Sequence, residues 1–168
     1  IHLAATKSSA QRIIRMGEEK WRVNVVGAPG LDSIVNTNIN KELVKKYSID
    51  PTNKLALVIQ HPIHMEEDVA SVQMKQTLNS IVNLELQSIV IYPNADAGGR
   101  SMIKVINEYK KYPFIHVYDN VPHDDYIGLM RLSNVIVGNS SGAIIEAPCL
   151  GLPAVNIGTR QTGRERAG

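Results

Sequence analysis

Short apolar runs rich in Val and Ile recur along the chain, at residues 23–26, 55–59, 89–92, 114–117, 135–137 and 154–157. Most are continuous. A strand with one wet face alternates apolar and polar residues, whereas a strand covered on both faces does not. The runs therefore demand a sheet buried between two layers. Helical periodicity fills the intervals. Residues 8–16 open on Ser8 as a cap and carry Ile13, Ile14 and Met16. Residues 40–47 carry Leu43 and Val44. The longest pattern, 66–84, has a stripe of Val69, Val72, Leu78, Ile81 and Val82. Residues 101–109, 124–132 and 141–150 follow, with Met102 and Ile106 in the first and Ile127 and Leu129 in the second. Strands alternating with helices imply right-handed crossovers. The predicted fold class is α/β: a Rossmann-like open parallel sheet with helices on both faces, built as a single domain over residues 1–168.

The 168 residues suffice for one sizeable core. A formal charge of +2 gives no electrostatic case for nucleic acid or a membrane surface as partner. No apolar run approaches the roughly 18 residues of a membrane span, and no secretion signal is visible. Cys149 is the single cysteine, so no internal disulfide forms; its apolar neighbours predict a small core residue. A single cysteine is compatible with a reducing, cytoplasmic setting. Ile1 is not an initiator, and residues 164–168 end inside a polar loop, so the chain reads as half of a longer protein.

In a parallel sheet of this kind, ligands bind beyond the carboxyl ends of the strands. The loops there are informative. After residues 135–137 comes Gly138-Asn139-Ser140-Ser141-Gly142. Its small side chains let a ligand approach the backbone, and Ser140 or Ser141 can cap the next helix, whose free N–H groups suit a phosphate. A plain serine cap with a glycine turn fits as well. Glu146, among Ile144, Ile145, Ala147 and Cys149, is a carboxylate in need of a partner, and a ribose diol is one candidate. An exposed helix charge is the other reading. After residues 154–157, Arg160 and Arg164 offer bidentate phosphate contacts, or simply a solvated basic loop. After residues 55–59, Pro62 holds His61 in extended backbone, where it can donate to a phosphate or act as acid or base. His61 and His64 lack a third clustered ligand, so no metal is expected. After residues 89–92, Asn94 and Asp96 are turn formers that also suit sugar recognition, and Arg100 opens a helix against its dipole. His123, Asp124 and Asp125 open another helix, where Asp124 and Asp125 read as caps.

The segments GNSSGAIIEAP and NIGTRQTGR resemble the UDP-N-acetylglucosamine 2-epimerases, most of all the hydrolysing branch. VVGAPGLDSI, QHPIH, YPNADAGGR and VPHDDYIGLM agree with it, in the family's order over nearly the whole chain. The non-hydrolysing branch usually has an acidic residue before its Ser-Gly pair and a Thr-Glu-Arg-Pro-like loop where this chain has Gly-Thr-Arg-Gln. The resemblance implies the second half of a two-domain, glycosyltransferase-B-like architecture. The family's first, catalytic domain and its closing C-terminal helix are then lacking. It implies that Ser140, Ser141 and Gly142 meet the diphosphate and Glu146 the ribose. Arg160 then lies by the nucleotide and Asn94 in the cleft, with His61 as the catalytic group of this half. It implies UDP or a UDP-sugar as ligand, no cofactor, and a homo-oligomeric intact protein in sialic acid biosynthesis. The family reaction eliminates UDP in the anti sense to a 2-acetamidoglucal. Water then adds to the other face, giving N-acetylmannosamine. This half alone is expected to bind UDP without turnover. A glycosyltransferase half with the same site plan, and a stand-alone nucleotide-sugar sensor, are the competing readings.

Overall fold

The computed structural model describes residues 1–36 and 42–166. They divide into two compact units, residues 1–36 and the remainder, so the domain expected over residues 1–168 is described in two parts.

In the first unit, strand β1 (His2–Ala4) leads into helix α1 (Lys7–Arg15), then strand β2 (Val23–Val25) and helix α2 (Gly30–Asn36). β1 and β2 pair in parallel, His2 opposite Val23, as a sheet of their own. The helix cap is not Ser8: Thr6 sits at the N-cap in extended backbone, and its hydroxyl accepts from the Ser9 amide at 3.1 Å. A threonine before the first turn satisfies an amide that the helix itself leaves open. Helix α1 therefore starts at Lys7.

The second unit runs α3 (Glu42–Lys46), β3 (Leu55–Ile59), α4 (Ala70–Asn83), β4 (Gln87–Ile91), α5 (Gly99–Tyr109), β5 (Ile115–Tyr118), α6 (His123–Leu132), β6 (Val135–Gly138), α7 (Gly142–Ile145) and β7 (Ala154–Asn156). The start of the helix predicted over 40–47 lies outside the described residues. Five strands form one parallel sheet in the order β5-β4-β3-β6-β7. Every residue of β3 is buried, as its continuous apolar run predicts. Leu55, Leu57 and Ile59 face one layer with Leu43, Leu129, Met130 and Ala147. Ala56 and Val58 face the other with Met74, Leu78, Met102 and Ile106. Two cores on opposite faces of one sheet are the doubly wound arrangement.

Several local expectations are corrected. The long helix is α4, preceded by a 3₁₀ turn, His64–Val69, in which Glu66 departs from helical geometry. Its buried side is Ala70, Met74, Thr77, Leu78 and Ile81, while Val69 and Val72 are 45% and 53% exposed. The kink at Glu66 rotates the face that meets the sheet. The helix predicted over 141–150 breaks at Glu146 into α7 and a 3₁₀ turn, Ala147–Leu150. Pro148 has no N–H to continue the α-helical ladder. Cys149, on that turn, is exposed rather than part of the core. Asp125 reaches another element instead of capping α6: it accepts from Lys46 Nζ at 2.5 Å and from the Tyr47 hydroxyl at 2.6 Å, tying α6 to α3. No helix among the described residues is long and apolar enough to cross a membrane.

Candidate functional site

The chain leaves β3 for β4 on one side of the sheet and later returns to β6 on the other. β3 and β6 are neighbours, with Ile59 opposite Gly138. The loops that follow them must diverge, and a crevice opens at their carboxyl ends. Gly138 closes the seam. Its φ is +137°, and an added Cβ would lie 1.9 Å from the Ile59 carbonyl oxygen, so only glycine lets the two backbones meet here.

His61 follows β3 on this seam and is partly buried. Its Nδ1 accepts from the Asn94 backbone N–H at 3.1 Å. The proton of the neutral ring is thereby left to Nε2. Burial holds the imidazole below its ordinary pKa, helped by the nearby Arg160 cation and opposed by Asp96. Asn94 itself is exposed. Its side-chain amide donates to Asp96 at 2.5 Å, and the loop is tight enough that a Cβ on Gly99 would lie 2.6 Å from the Asn94 carbonyl oxygen.

The loop after β6 lies across the seam from His61. Asn139 is 2% exposed. Its Oδ1 accepts from the His61 amide at 2.7 Å, and its Nδ2 donates to the His61 carbonyl at 2.8 Å. Its own carbonyl accepts from Arg160 Nη1 at 3.2 Å and from Gln161 Nε2 at 2.7 Å. Three strand-end loops therefore converge on one asparagine. Arg160 is half-buried within this arrangement, and Arg164 is exposed.

Beside this network lies a hollow of about 260 Å³, lined by Ser140, Ser141, Gly142, Glu146, Tyr126 and others. Ser140 does not cap in the ordinary sense: its hydroxyl accepts from the Gly142 amide at 3.3 Å, two residues on. Ser141 is the N-cap of α7 and makes no side-chain cap bond. Helix α7 spans four residues, so its dipole is weak, and the electrostatics of this loop rest on individual N–H and hydroxyl groups. Glu146 has the partner its apolar surroundings require. The Tyr126 hydroxyl donates to its carboxylate, and burial and that carboxylate together push the phenol well above its usual pKa. A Cβ on Gly142 would lie 2.2 Å from the Tyr126 hydroxyl oxygen and 2.7 Å from Glu146 Oε2.

The expected residues thus fall into two adjoining groups. Ser140, Ser141, Gly142 and Glu146 share the hollow, while His61, Asn94 and Arg160 are joined through hydrogen bonds to one another or to Asn139. Arg100 is exposed and has no part in either. Sequence reasoning missed Asn139, Tyr126 and Gln161. Asn139 had one usable signal, a polar side chain wedged between a buried strand and a serine pair. Tyr126 had none, being one apolar position in an ordinary amphipathic helix. Among the described residues no cluster of His, Cys, Asp and Glu could hold a metal ion.

Comparison with known proteins identifies the family and the fold. The family model described as UDP-N-acetylglucosamine 2-epimerase matches residues 1–168. The chain is 38% identical over 168 residues to UDP-N,N'-diacetylbacillosamine 2-epimerase (hydrolyzing) of Legionella pneumophila subsp. pneumophila, covering 99% of this chain and 45% of that protein. It is 31% identical to the UDP-N-acetylglucosamine 2-epimerase of Neisseria meningitidis serogroup B, covering 98% of this chain and 44% of that one. The chain therefore spans about half the length of the curated relatives it matches. The crystal structure of UDP-GlcNAc 2-epimerase from Neisseria meningitidis bound to UDP-GlcNAc superposes with a TM-score of 0.72 at 18% identity, over 91% of this chain and 43% of that one. Its fold is shared.

Proposed function

The chain belongs to the UDP-N-acetylglucosamine 2-epimerase family, and on that premise we propose that residues 1–168 are the UDP-binding half of a hydrolysing 2-epimerase. The observation that carries this reading is the placing of Glu146 in one hollow with Ser140, Ser141 and Gly142. A carboxylate can accept from two adjacent ribose hydroxyls, a charge-assisted pair of bonds. The Ser140-Ser141-Gly142 loop offers hydroxyls and close backbone approach to a diphosphate. Arg160, adjoining this loop through Asn139, supplies positive charge to the leaving phosphates. A neutral His61 donates from Nε2 without repelling that cation.

In the reaction we assign to the intact protein, UDP leaves by anti elimination. The 2-acetamidoglucal then takes up water on the opposite face, releasing N-acetylmannosamine. Cation and hydrogen-bond donors at the departing diphosphate stabilise the charge that develops there. Removal of the C2 proton belongs to carboxylates of the family's first domain, so the 168-residue chain alone binds UDP without turnover. Release of N-acetylmannosamine from UDP-N-acetylglucosamine by the purified chain would overturn that division of labour. The family match favours this reading over a glycosyltransferase half. The intact protein is read as a cytoplasmic homo-oligomer.

The test of the site is a calorimetric titration of the chain with UDP, with GDP and CMP as controls, repeated on Glu146→Ala. UDP-selective binding is expected, weakened about tenfold or more in the variant, because hydrogen bonds to a charged group are lost. A folded chain that binds none of the three, or a variant that binds like the parent, sinks the proposal.

A further inference from the structure

Asn139 is buried, makes four side-chain or carbonyl hydrogen bonds to two other loops, and has no part in the chemistry assigned so far. We propose that Asn139 is the positioning residue of the cleft, holding the His61 backbone so that the ring meets the Asn94 amide and presents Nε2–H to the ligand. The claim about ligand rests on the UDP reading; the claim about geometry does not.

The geometry is specific to an amide side chain. His61 offers one donor, its N–H, and one acceptor, its C=O, and Asn139 answers both, at 2.7 and 2.8 Å. This is the pairing that a neighbouring strand would make with a residue. Here β3 and β6 have already parted, and the side chain extends their ladder by one step beyond the bond from the Asn139 amide to the Ile59 carbonyl at 3.1 Å. Aspartate would keep the acceptor and lose the donor, and alanine would lose both. With the backbone fixed, His61 Nδ1 lies 3.1 Å from the Asn94 N–H, which selects one tautomer. The Asn139 carbonyl meanwhile draws in Arg160 and Gln161. Gln161 is itself 1% exposed, so the loop after β7 is anchored at the same point. One residue therefore sets the relation of the imidazole to the guanidinium.

The experiment uses nitrogen-15 NMR on the 168-residue chain, on Asn139→Asp and on Asn139→Ala. Three signals are read: the His61 ring nitrogens, hydrogen exchange of the Asn94 amide, and UDP titration. The parent should show unprotonated Nδ1 and protonated Nε2. In Asn139→Ala the Asn94 amide should exchange about tenfold faster or more, as expected for losing hydrogen bonds that hold its acceptor, while the Val58 and Val90 amides in the sheet stay as they were. The His61 ring should lose its single tautomer, and Asn139→Asp should fall between the two. Asn139→Asp is isosteric, so it decides the matter if the alanine variant does not fold. Unchanged His61 and Asn94 signals in a folded variant overturn the proposal. UDP affinity should fall in step with the ring signals. If the parent does not bind UDP, the functional reading falls, and the ring and amide signals still decide for or against Asn139.

Discussion

At the scale of single residues, the site depends on where a side chain is missing. Gly142 has ordinary backbone, so its need for glycine comes from neighbours: a Cβ would strike the Tyr126 hydroxyl and Glu146 Oε2. Both are the far ends of side chains and can yield, so Gly142→Ala should fold. The carboxylate would be pushed from its place, and UDP affinity should drop about tenfold with little change in urea midpoint. A midpoint that falls as far as the affinity would place the glycine in the core instead. His61 gives a pH signature. Its folded pKa is depressed by burial first and then by Arg160, and burial depresses that of His116 too. Below about pH 6.5 the unfolded chain then binds more protons than the folded one, so stability rises with pH through this window and is lost as pH falls. Urea midpoints between pH 7 and 5 should decline less steeply in a His61→Gln, His116→Gln double variant. Equal slopes would mean that neither ring is shifted.

At the scale of elements, what was legible follows from how each element is stabilised. β3 was readable to its ends because both of its faces are buried and nothing but apolar residues fits. The crevice was readable as well, since alternating strands and helices leave the carboxyl ends as the place for ligands. His61, Asn94, Ser140, Ser141, Gly142, Glu146 and Arg160 all follow such carboxyl ends, those of β3, β4, β6 and β7. Helix ends were less legible. Thr6 and Ser8 are equally good caps by composition, and only the backbone at Thr6 selects between them. The stripe on α4 was misplaced at its start because periodicity cannot register the kink at Glu66. The partner of Glu146 was illegible for another reason: Tyr126 lies 20 residues upstream, on α6, and only the packing of α6 on β3 and on the 3₁₀ turn that follows Glu146 brings them together. Asn139 belongs to the same class, since its bonds cross from one loop to two others.

At the scale of the whole molecule, the two units differ in how much core they own. The second has a sheet covered on both faces. The first has a sheet of two strands, and its buried hydrophobics are confined to Ala4, Ala10 and Ile34 among the described residues. Leu3, Trp21, Val25 and Val26 are 69%, 67%, 49% and 50% exposed. A parallel pair of strands is normally buried on both faces, and a sheet of two strands is marginal by itself. Local opening free energies track buried apolar contact. The amide of Val26, bonded to the Ala4 carbonyl at 2.9 Å, should therefore exchange with solvent through opening of the first unit alone. The amide of Val58, in a strand with no exposed residue, should exchange only when the second unit unfolds. Native-state hydrogen exchange should find Val26 faster by about a hundredfold or more, a gap of roughly 3 kcal/mol in opening free energy, well within the range that separates marginal from core segments. Added urea should accelerate Val58 steeply and Val26 weakly, because the surface exposed differs in the same sense. Equal protection and equal urea slopes would show one cooperative unit instead, with the first 36 residues stabilised by more than their own sheet.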